Sequence, residues 1–334
     1  MITQKEIAER LGISRTTVAR AINGSPLIKE ETKRKILELV KETNYEKNYV
    51  GSSLGTRKSK KVYSLVVESK NEFYTQEILR GIKIISEEYK AYNYKIDIKT
   101  TDINDPKKQI KELKEILKKE DIDGLIITPL DRDSVFKILE PYLDKIKVIS
   151  LGIRLNKNIP HVGPDHQKQG EIAAGLMSNL LRNEEKVLII DNGDDKVSSK
   201  LYLDGFMNRI SRASLTIEGP IDGGGIEKSV ELLKERLKKG DIKGLYINRY
   251  SHDILDRIEK KELTGIKIVT NGIGKIIKKL IKERIITLTV MEEISSEGYT
   301  AGKRMFEMLY KEKVFKGHCD VSKSHIILYE NLED

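Results

Sequence analysis

Apolar positions fall into two regimes along this chain of 334 residues. Up to about residue 45 they recur at helical spacing, and from residue 62 onward they gather into short runs separated by amphipathic stretches. In the first regime Thr3 precedes Glu6 by three positions, the spacing at which an N-cap hydroxyl and an N3 carboxylate satisfy each other's backbone donors. A helix is therefore predicted there, with Ile7, Ala8 and Leu11 as its apolar stripe and Gly12 as its left-handed C-cap. Ser14 caps a second helix, RTTVARAIN, two residues later. Two short helices joined this tightly read as a helix-turn-helix. A third helix is predicted from about Glu30 to Thr43, with Ile36, Leu37, Leu39 and Val40 on the side that closes the core.

The second regime alternates. Strand-like runs at 62–68, 94–100, 124–128 and 147–152 are separated by helical stretches at about 75–91, 106–119 and 133–143. A second series follows, with strands at 186–191, 214–219 (the weakest), 244–248, 267–272 and 286–291. Its helices are predicted near 167–182, 197–211, 226–238, 251–260 and 274–283. Repeated βαβ units imply parallel sheets with helices on both faces, so two doubly wound α/β lobes should face each other across a cleft.

Charge sharpens this division. The formal net charge is +9, but residues 1–61 carry 14 Lys+Arg against 7 Asp+Glu, whereas the remaining 273 carry 47 against 45. The basic excess belongs to the helical N-terminal part, where it suits a polyanion. Cys319 is the single cysteine, which excludes an intramolecular disulfide and a Cys-based zinc site and fits a reducing cytoplasm. The opening MITQKEIAERLG has no apolar signal core, and no apolar run approaches the ~20 residues of a membrane span, so neither secretion nor membrane insertion is expected.

In a helix-turn-helix the second helix enters the major groove with its N-terminal side chains toward base edges. Here these are Arg15, Thr16, Ala19 and Arg20. Arginine offers a bidentate fork to guanine, and such a pair discriminates by about 1–3 kcal/mol. Ser14, Thr17 and Asn23 are placed for phosphates, which orient without specifying, and Thr3 joins the DNA-binding set.

The run GISRTTVARAINGSPLIKEETKRKILELVKETNY (12–45), followed by NYVGSSLGTRKSKK (48–61), resembles the headpiece and hinge of the lactose and galactose repressor family, LacI/GalR. The resemblance implies a helix-turn-helix domain over 1–46. It also implies a hinge over 47–61 that becomes helical on operator DNA, with Val50, Ser53, Leu54 and Lys58 at the DNA and Leu54 as a wedge in the minor groove. The chain departs from the family pattern at Lys29, Lys47, Gly51 and Ser52, and Gly55 weakens the hinge further. Each glycine costs a helix about 0.8–1.0 kcal/mol relative to alanine, so hinge folding should depend strongly on DNA.

The rest resembles the periplasmic-binding-protein fold that follows this headpiece in the same family, through FYTQEILRGI (73–82), DGLIITPLD (123–131), HVGPDHQKQGEIAAGLM (161–177) and LYLDGFMNRI (201–210). The implied topology divides the effector domain into an N-lobe (62–161 plus 292–320) and a C-lobe (162–291 plus 321–334). A ligand in such a fold sits beyond the carboxyl ends of the strands. The candidates there are Phe73, Tyr74, Asp131, Arg154, Asp165, Lys196, Ser198, Asn248, Arg249, Asn271 and Glu292. Tyr202 and Gly272 stand where the family often has Arg and Asp grips, Glu292 where sugar-type relatives often have Gln, and Lys196 where purine-type relatives often have Arg. A carbohydrate or derivative is the expected effector.

Other motifs do not reach a template. The DNGDDK loop (191–196) has Tyr202 where an EF-hand needs its twelfth-position Glu. The five histidines lack HExxH spacing, and GxSxG, Walker A and GxGxxG are absent. No catalytic residue, metal or cofactor is expected. The expectation is a cytoplasmic, effector-controlled regulator, a repressor by its family resemblance, that binds a pseudo-palindromic operator as a homodimer. No leucine-heptad extension follows Asp334, which favours a dimer over a tail-assembled tetramer. Two alternatives stay open: a solute-binding module, which would need an export signal and no headpiece, and a Rossmann-type enzyme, which would need a catalytic constellation.

Overall fold

A computed structural model describes residues 2–22, 25, 28–43, 45, 60–69, 72–119, 121–194 and 196–332. The chain divides into two compact units, Met1–Lys58 and Ser59–Asp334.

In the first unit, α1 (Gln4–Leu11) opens on the capping box: Thr3 Oγ1 accepts from the Glu6 amide at 3.2 Å while the Thr3 amide donates to Glu6 Oε2 at 2.6 Å. Gly12 closes α1 at φ +65°. Ser14 Oγ accepts from the Thr17 amide at 3.1 Å and so starts α2 (Arg15–Ile22). The third helix, α3 (Glu30–Glu42), begins at Lys29 without a side-chain cap. Ile7, Ala8, Val18, Ala21 and Ile36 form the buried core, with Leu39 and Val40 packed against it. Leu37 does not join them; it is 42% exposed, because it lies about 100° round the helix from Ile36.

The second unit holds two six-stranded sheets. The first is built by β1 (Lys61–Glu68), α4 (Glu72–Glu88), β2 (Lys95–Asp102), α5 (Pro106–Leu117), β3 (Gly124–Ile127), α6 (Arg132–Leu139), β4 (Lys147–Leu151) and β5 (His161–Gly163). The second is built by α7 (His166–Leu180), β6 (Lys186–Asp191), α8 (Val197–Ile210), β7 (Thr216–Asp222), α9 (Ile226–Leu237), β8 (Ile242–Ile247), α10 (Ser251–Leu255), β9 (Lys267–Asn271), α11 (Lys275–Lys282) and β10 (Leu288–Glu292). Then α12 (Ile294–Tyr310) returns to pack on α4 and the first sheet, β11 (Cys319–Val321) joins that sheet, and β12 (Ser324–Ile327) joins the second. Strand orders are β11-β5-β4-β3-β1-β2 and β12-β10-β9-β8-β6-β7. Among the described residues only the β10–β12 pair is antiparallel.

The chain thus passes between the sheets three times, after β5, after β10 and after β11. Central strands such as β3 are buried along their length, as parallel strands covered on both faces must be. Four elements go beyond the predicted set: β5, β11 and β12, each three or four residues long, and α12. The helix predicted at 251–260 ends at Leu255. The strand predicted at 214–219 runs instead over Thr216–Asp222, continuing through Pro220, since it is an edge strand where a missing N–H costs no ladder bond.

One close approach positions the cleft. A Cβ on Gly170 of α7 would fall inside the van der Waals radius of the Tyr202 carbonyl on α8, and one on Gly205 inside that of the Gln167 carbonyl. These two helices touch backbone to backbone, which only glycine permits.

Candidate functional sites

On the first unit, the outward face of α2 carries Arg15, Thr16 and Arg20, all exposed, with Ala19 half-buried between them, while Val18 and Ala21 hold the helix to the core. Ser14 and Thr17 hydroxyls lie 2.9 Å apart and serve the cap, and the Thr3 hydroxyl serves the capping box. Asn23, Val50, Ser53, Leu54 and Lys58, with Lys47, Gly51, Ser52 and Gly55, lie outside the described residues.

On the second unit, the candidates follow the carboxyl ends of the strands and most fall into two groups. Asp131 and Asp165 are N-caps, accepting from the Ser134 amide at 3.1 Å and the Lys168 amide at 2.9 Å. The bond from Ser134 holds the Asp131 carboxyl below its ordinary range. Arg154 donates to the carbonyls of Lys157 and Gly317, both at 3.2 Å, and braces a loop. Asn248 knits the C-terminal ends of β6 and β8: its Nδ2 donates to Asp191 Oδ1 at 2.8 Å and its Oδ1 accepts from the Asn192 amide at 3.1 Å.

The second group spans the gap between the sheets. Lys196 Nζ donates to Asn104 Oδ1 at 3.2 Å, joining the loop after β6 to the loop after β2. Arg249 Nη1 donates to Ser198 Oγ at 2.9 Å, and its Nε lies 3.9 Å from Asp194 Oδ2. Arg249 also acts electrostatically on Tyr74, Tyr202, Glu292 and His166, which places it among groups from both sheets. The next residue, Tyr250, sits at φ +54°, a strained value for a bulky side chain that fixes how Arg249 leaves β8. Phe73 and Tyr74 are half-buried at the start of α4, and a Cβ on Gly152 would lie 2.8 Å from the Tyr74 hydroxyl. Burial, then the carboxylates of Glu297 and Glu292, raise the Tyr74 phenol well above its ordinary value.

Beside these candidates lie buried polar atoms left unmet among the described residues, Ser199 Oγ, Asn271 Nδ2 and Glu297 Oε2, together with the Gln169 amide and Glu292 Oε2, which face each other and meet no other partner. Asn271 is half satisfied, since its Oδ1 accepts from Tyr246 Oη at 2.5 Å. An unmet buried group costs about 1–3 kcal/mol, so this concentration marks a place built to receive hydrogen-bonding matter. Burial raises the Glu292 carboxyl. Buried His166, edge-on to the Tyr202 ring at 5.0 Å, is pushed down to about 3 by burial and then by Arg249. Gln169, Ser199, Glu297 and His166 were not candidates from sequence. All lie on helices; for Gln169, Ser199 and His166 the signal that could have exposed them is the small-residue spacing of Gly170 and Gly205, which draws α7 and α8 together, whereas Glu297 lies on α12 and had no such signal.

No group of three or more His, Cys, Asp or Glu side chains is placed to hold a metal ion among the described residues. Likewise no described helix is long and apolar enough to cross a membrane.

A helix-turn-helix with an exposed arginine face, on the same chain as two doubly wound lobes with unmet polar groups between them, defines a DNA-binding regulator with a ligand-sensing domain. Residues 3–48 match the family profile "Bacterial regulatory proteins, lacI family", and residues 63–313 match "Periplasmic binding protein domain". The chain belongs to the lacI family of bacterial regulatory proteins, with a periplasmic-binding-protein domain as its second unit. It is 33% identical over 136 residues to the HTH-type transcriptional regulator RegA of Clostridium saccharobutylicum, which is 40% of this chain and 39% of that protein. It is 24% identical over 269 residues to catabolite control protein A of Staphylococcus aureus, covering 80% of this chain and 79% of that one. Among solved structures, a glucose-galactose binding protein from Geobacillus stearothermophilus shares the fold at a TM-score of 0.69 and 19% identity, over 82% of this chain and 99% of that one.

Proposed function

We propose that this transcription regulator is a homodimeric repressor, acting in the cytoplasm on a pseudo-palindromic operator and controlled by a carbohydrate or carbohydrate derivative held between its lobes. The observation that carries the reading is the pairing, on one chain, of the exposed Arg15–Thr16–Ala19–Arg20 face with the unmet buried polar groups of the cleft. Arg15, Thr16, Ala19 and Arg20 read bases; Thr3, Ser14, Thr17, Asn23 and Lys58 orient on the backbone; Val50, Ser53 and Leu54 engage the minor groove as the hinge folds. Two symmetric headpieces imply two half-sites.

In the cleft, Phe73 and Tyr74 offer rings for a sugar face. Lys196, Ser198, Arg249, Asn271 and Glu292 supply donors and acceptors, joined by Gln169 and Ser199. Asp131, Arg154, Asp165 and Asn248 act mainly as scaffold, each with one hydrogen-bonding group already engaged. The sugar-binding relatives of the fold support a hydroxyl-rich ligand, as does the mixture of unmet donors and acceptors. The ligand shifts the population of lobe arrangements, and that shift sets whether the paired hinges fold on DNA.

The test is salt-dependent binding to DNA selected from a random pool, repeated with sugars and sugar phosphates that raise the melting temperature. Selection of a two-fold symmetric site, with affinity changed by a stabilising sugar, supports the reading. Failure to bind any DNA, or turnover of the sugar, overturns it.

A further inference from the structure

We propose that Glu297 is a positioning residue that makes the joint between the lobes proton-linked: one proton held by the Glu292/Glu297 pair keeps the lobes together at the second crossing, and its loss parts them there while Ser322 stays on Glu297. The inference rests on lobe geometry and shares Glu292 with the proposed effector site, so its test is run without effector or DNA. Glu292 is the last residue of β10 in the second sheet, and Glu297 lies in the first turn of α12, which packs on the first sheet. The pair therefore straddles the second crossing. Ser322, in the third crossing between β11 and β12, donates its hydroxyl to Glu297 Oε1 at 2.6 Å. One carboxyl thus ties two of the three passages.

Both side chains are out of water, with Glu292 7% and Glu297 1% exposed. Glu297 Oε2 has no hydrogen-bond partner, Glu292 meets only the Gln169 amide and its own backbone, and no cation forms an ion pair with either among the described residues. The groups facing them are Tyr74 from α4, Tyr202 from α8, the Gln169 amide from α7, Ser322, and Arg249, which acts on Glu292. The Glu292 charge acts on Glu297, and two interacting carboxylates in a low-dielectric site cannot both ionise cheaply. Burial, and then Glu292, push the Glu297 carboxyl up to about 8, so its ionisation falls within reach of neutral conditions. Ionising it places two negative charges on opposite sides of a crossing, and relief comes from moving the lobes.

The test uses the full chain with Cys319→Ser and spin labels at Lys137→Cys on the first lobe and Lys234→Cys on the second, both exposed positions, diluted with unlabelled chain. The interlobe distance distribution is expected to lengthen between pH 6.5 and 9, with a midpoint near pH 8. Glu297→Gln should hold the short distance throughout. Ser322→Ala removes a donor that favours the anion, so its midpoint should move to higher pH. A wild-type distance that ignores pH, or a Glu297→Gln response like the wild type's, overturns the proposal. If Glu297→Gln does not fold, an unmoved midpoint in Ser322→Ala overturns it alone.

Discussion

Replacing Gly170 with alanine adds one methyl group at the point where α7 and α8 meet. That methyl has no room: it would fall within the van der Waals radius of the Tyr202 carbonyl and close to the Phe206 amide, at 2.8 Å, both backbone atoms that cannot rotate away. The helices must separate, and overpacking of this kind costs typically about 1–3 kcal/mol. Gly175 provides the internal control. It lies on the same helix, and a Cβ there meets nothing nearer than Arg209 Nε at 3.9 Å, so Gly175→Ala should show only the gain of about 0.8–1.0 kcal/mol that alanine gives a helix. Gly170→Ala would share that helix gain, so the two variants should differ by the overpacking cost alone, about 1–3 kcal/mol, with Gly175→Ala the more stable. At roughly 2 °C per kcal/mol for a unit of this size, that is a gap of about 2–6 °C in melting temperature. Differential scanning calorimetry of both variants measures it. Gly170→Ala should also weaken effector binding, since Gln169 and Ser199 ride on the displaced helices. Equal melting temperatures for the two variants would refute the backbone-contact argument.

Three further outcomes are expected. Arg20→Ala should lower affinity for the selected operator by about 1–3 kcal/mol with little change on random DNA, measured by fluorescence anisotropy at fixed salt; equal losses on both would make Arg20 a phosphate contact. A double-mutant cycle with Lys196→Ala and Asn104→Ala should give a coupling energy of about 1 kcal/mol in urea unfolding, and zero coupling would show that the interlobe bond contributes nothing. His166, held at about 3 against 6.5 when unfolded, binds its proton more tightly in the unfolded chain, so its contribution is intact above pH 6.5 and is lost as pH falls toward 3. At pH 5 that loss is about 2 kcal/mol; Glu297 has the opposite trend over the same range, so the comparison is between wild type and His166→Asn, whose stability difference should narrow on acidification.

The first unit was the more legible part of the molecule because its signals are local. Thr3, Glu6, Gly12 and Ser14 act on backbone groups within four residues of themselves, and each acts in the structure as its spacing predicts. Leu37 shows the limit of hydrophobicity alone: it is apolar and helical, but it falls on the solvent side of α3. In the second unit the long strands were readable as apolar runs, but β5, β11 and β12 are too short to show one, and they take their identity from neighbours already in place. The cleft divided similarly. Residues at strand ends could be named from topology, whereas Gln169 and Ser199 are polar residues on helices, and polarity on a helix ordinarily means solvent. They are buried because two glycines bring a second helix over them, a tertiary cause that no window of sequence contains. The N-caps show the converse: Asp131 and Asp165 have the right address, but local backbone donors already hold them.

The return of α12 and β11 to the first sheet has a consequence for the order in which the protein is made. Ala301, Met305 and Phe306 fill the core beneath that sheet, and β11 pairs with β5. Until about residue 321 has left the ribosome the first lobe lacks both a helix of its core and an edge strand, while the N-terminal helices have been complete since residue 45. Translation therefore delivers the DNA-reading unit well before the sensor that governs it, and a truncated product would be expected to retain the former without the latter.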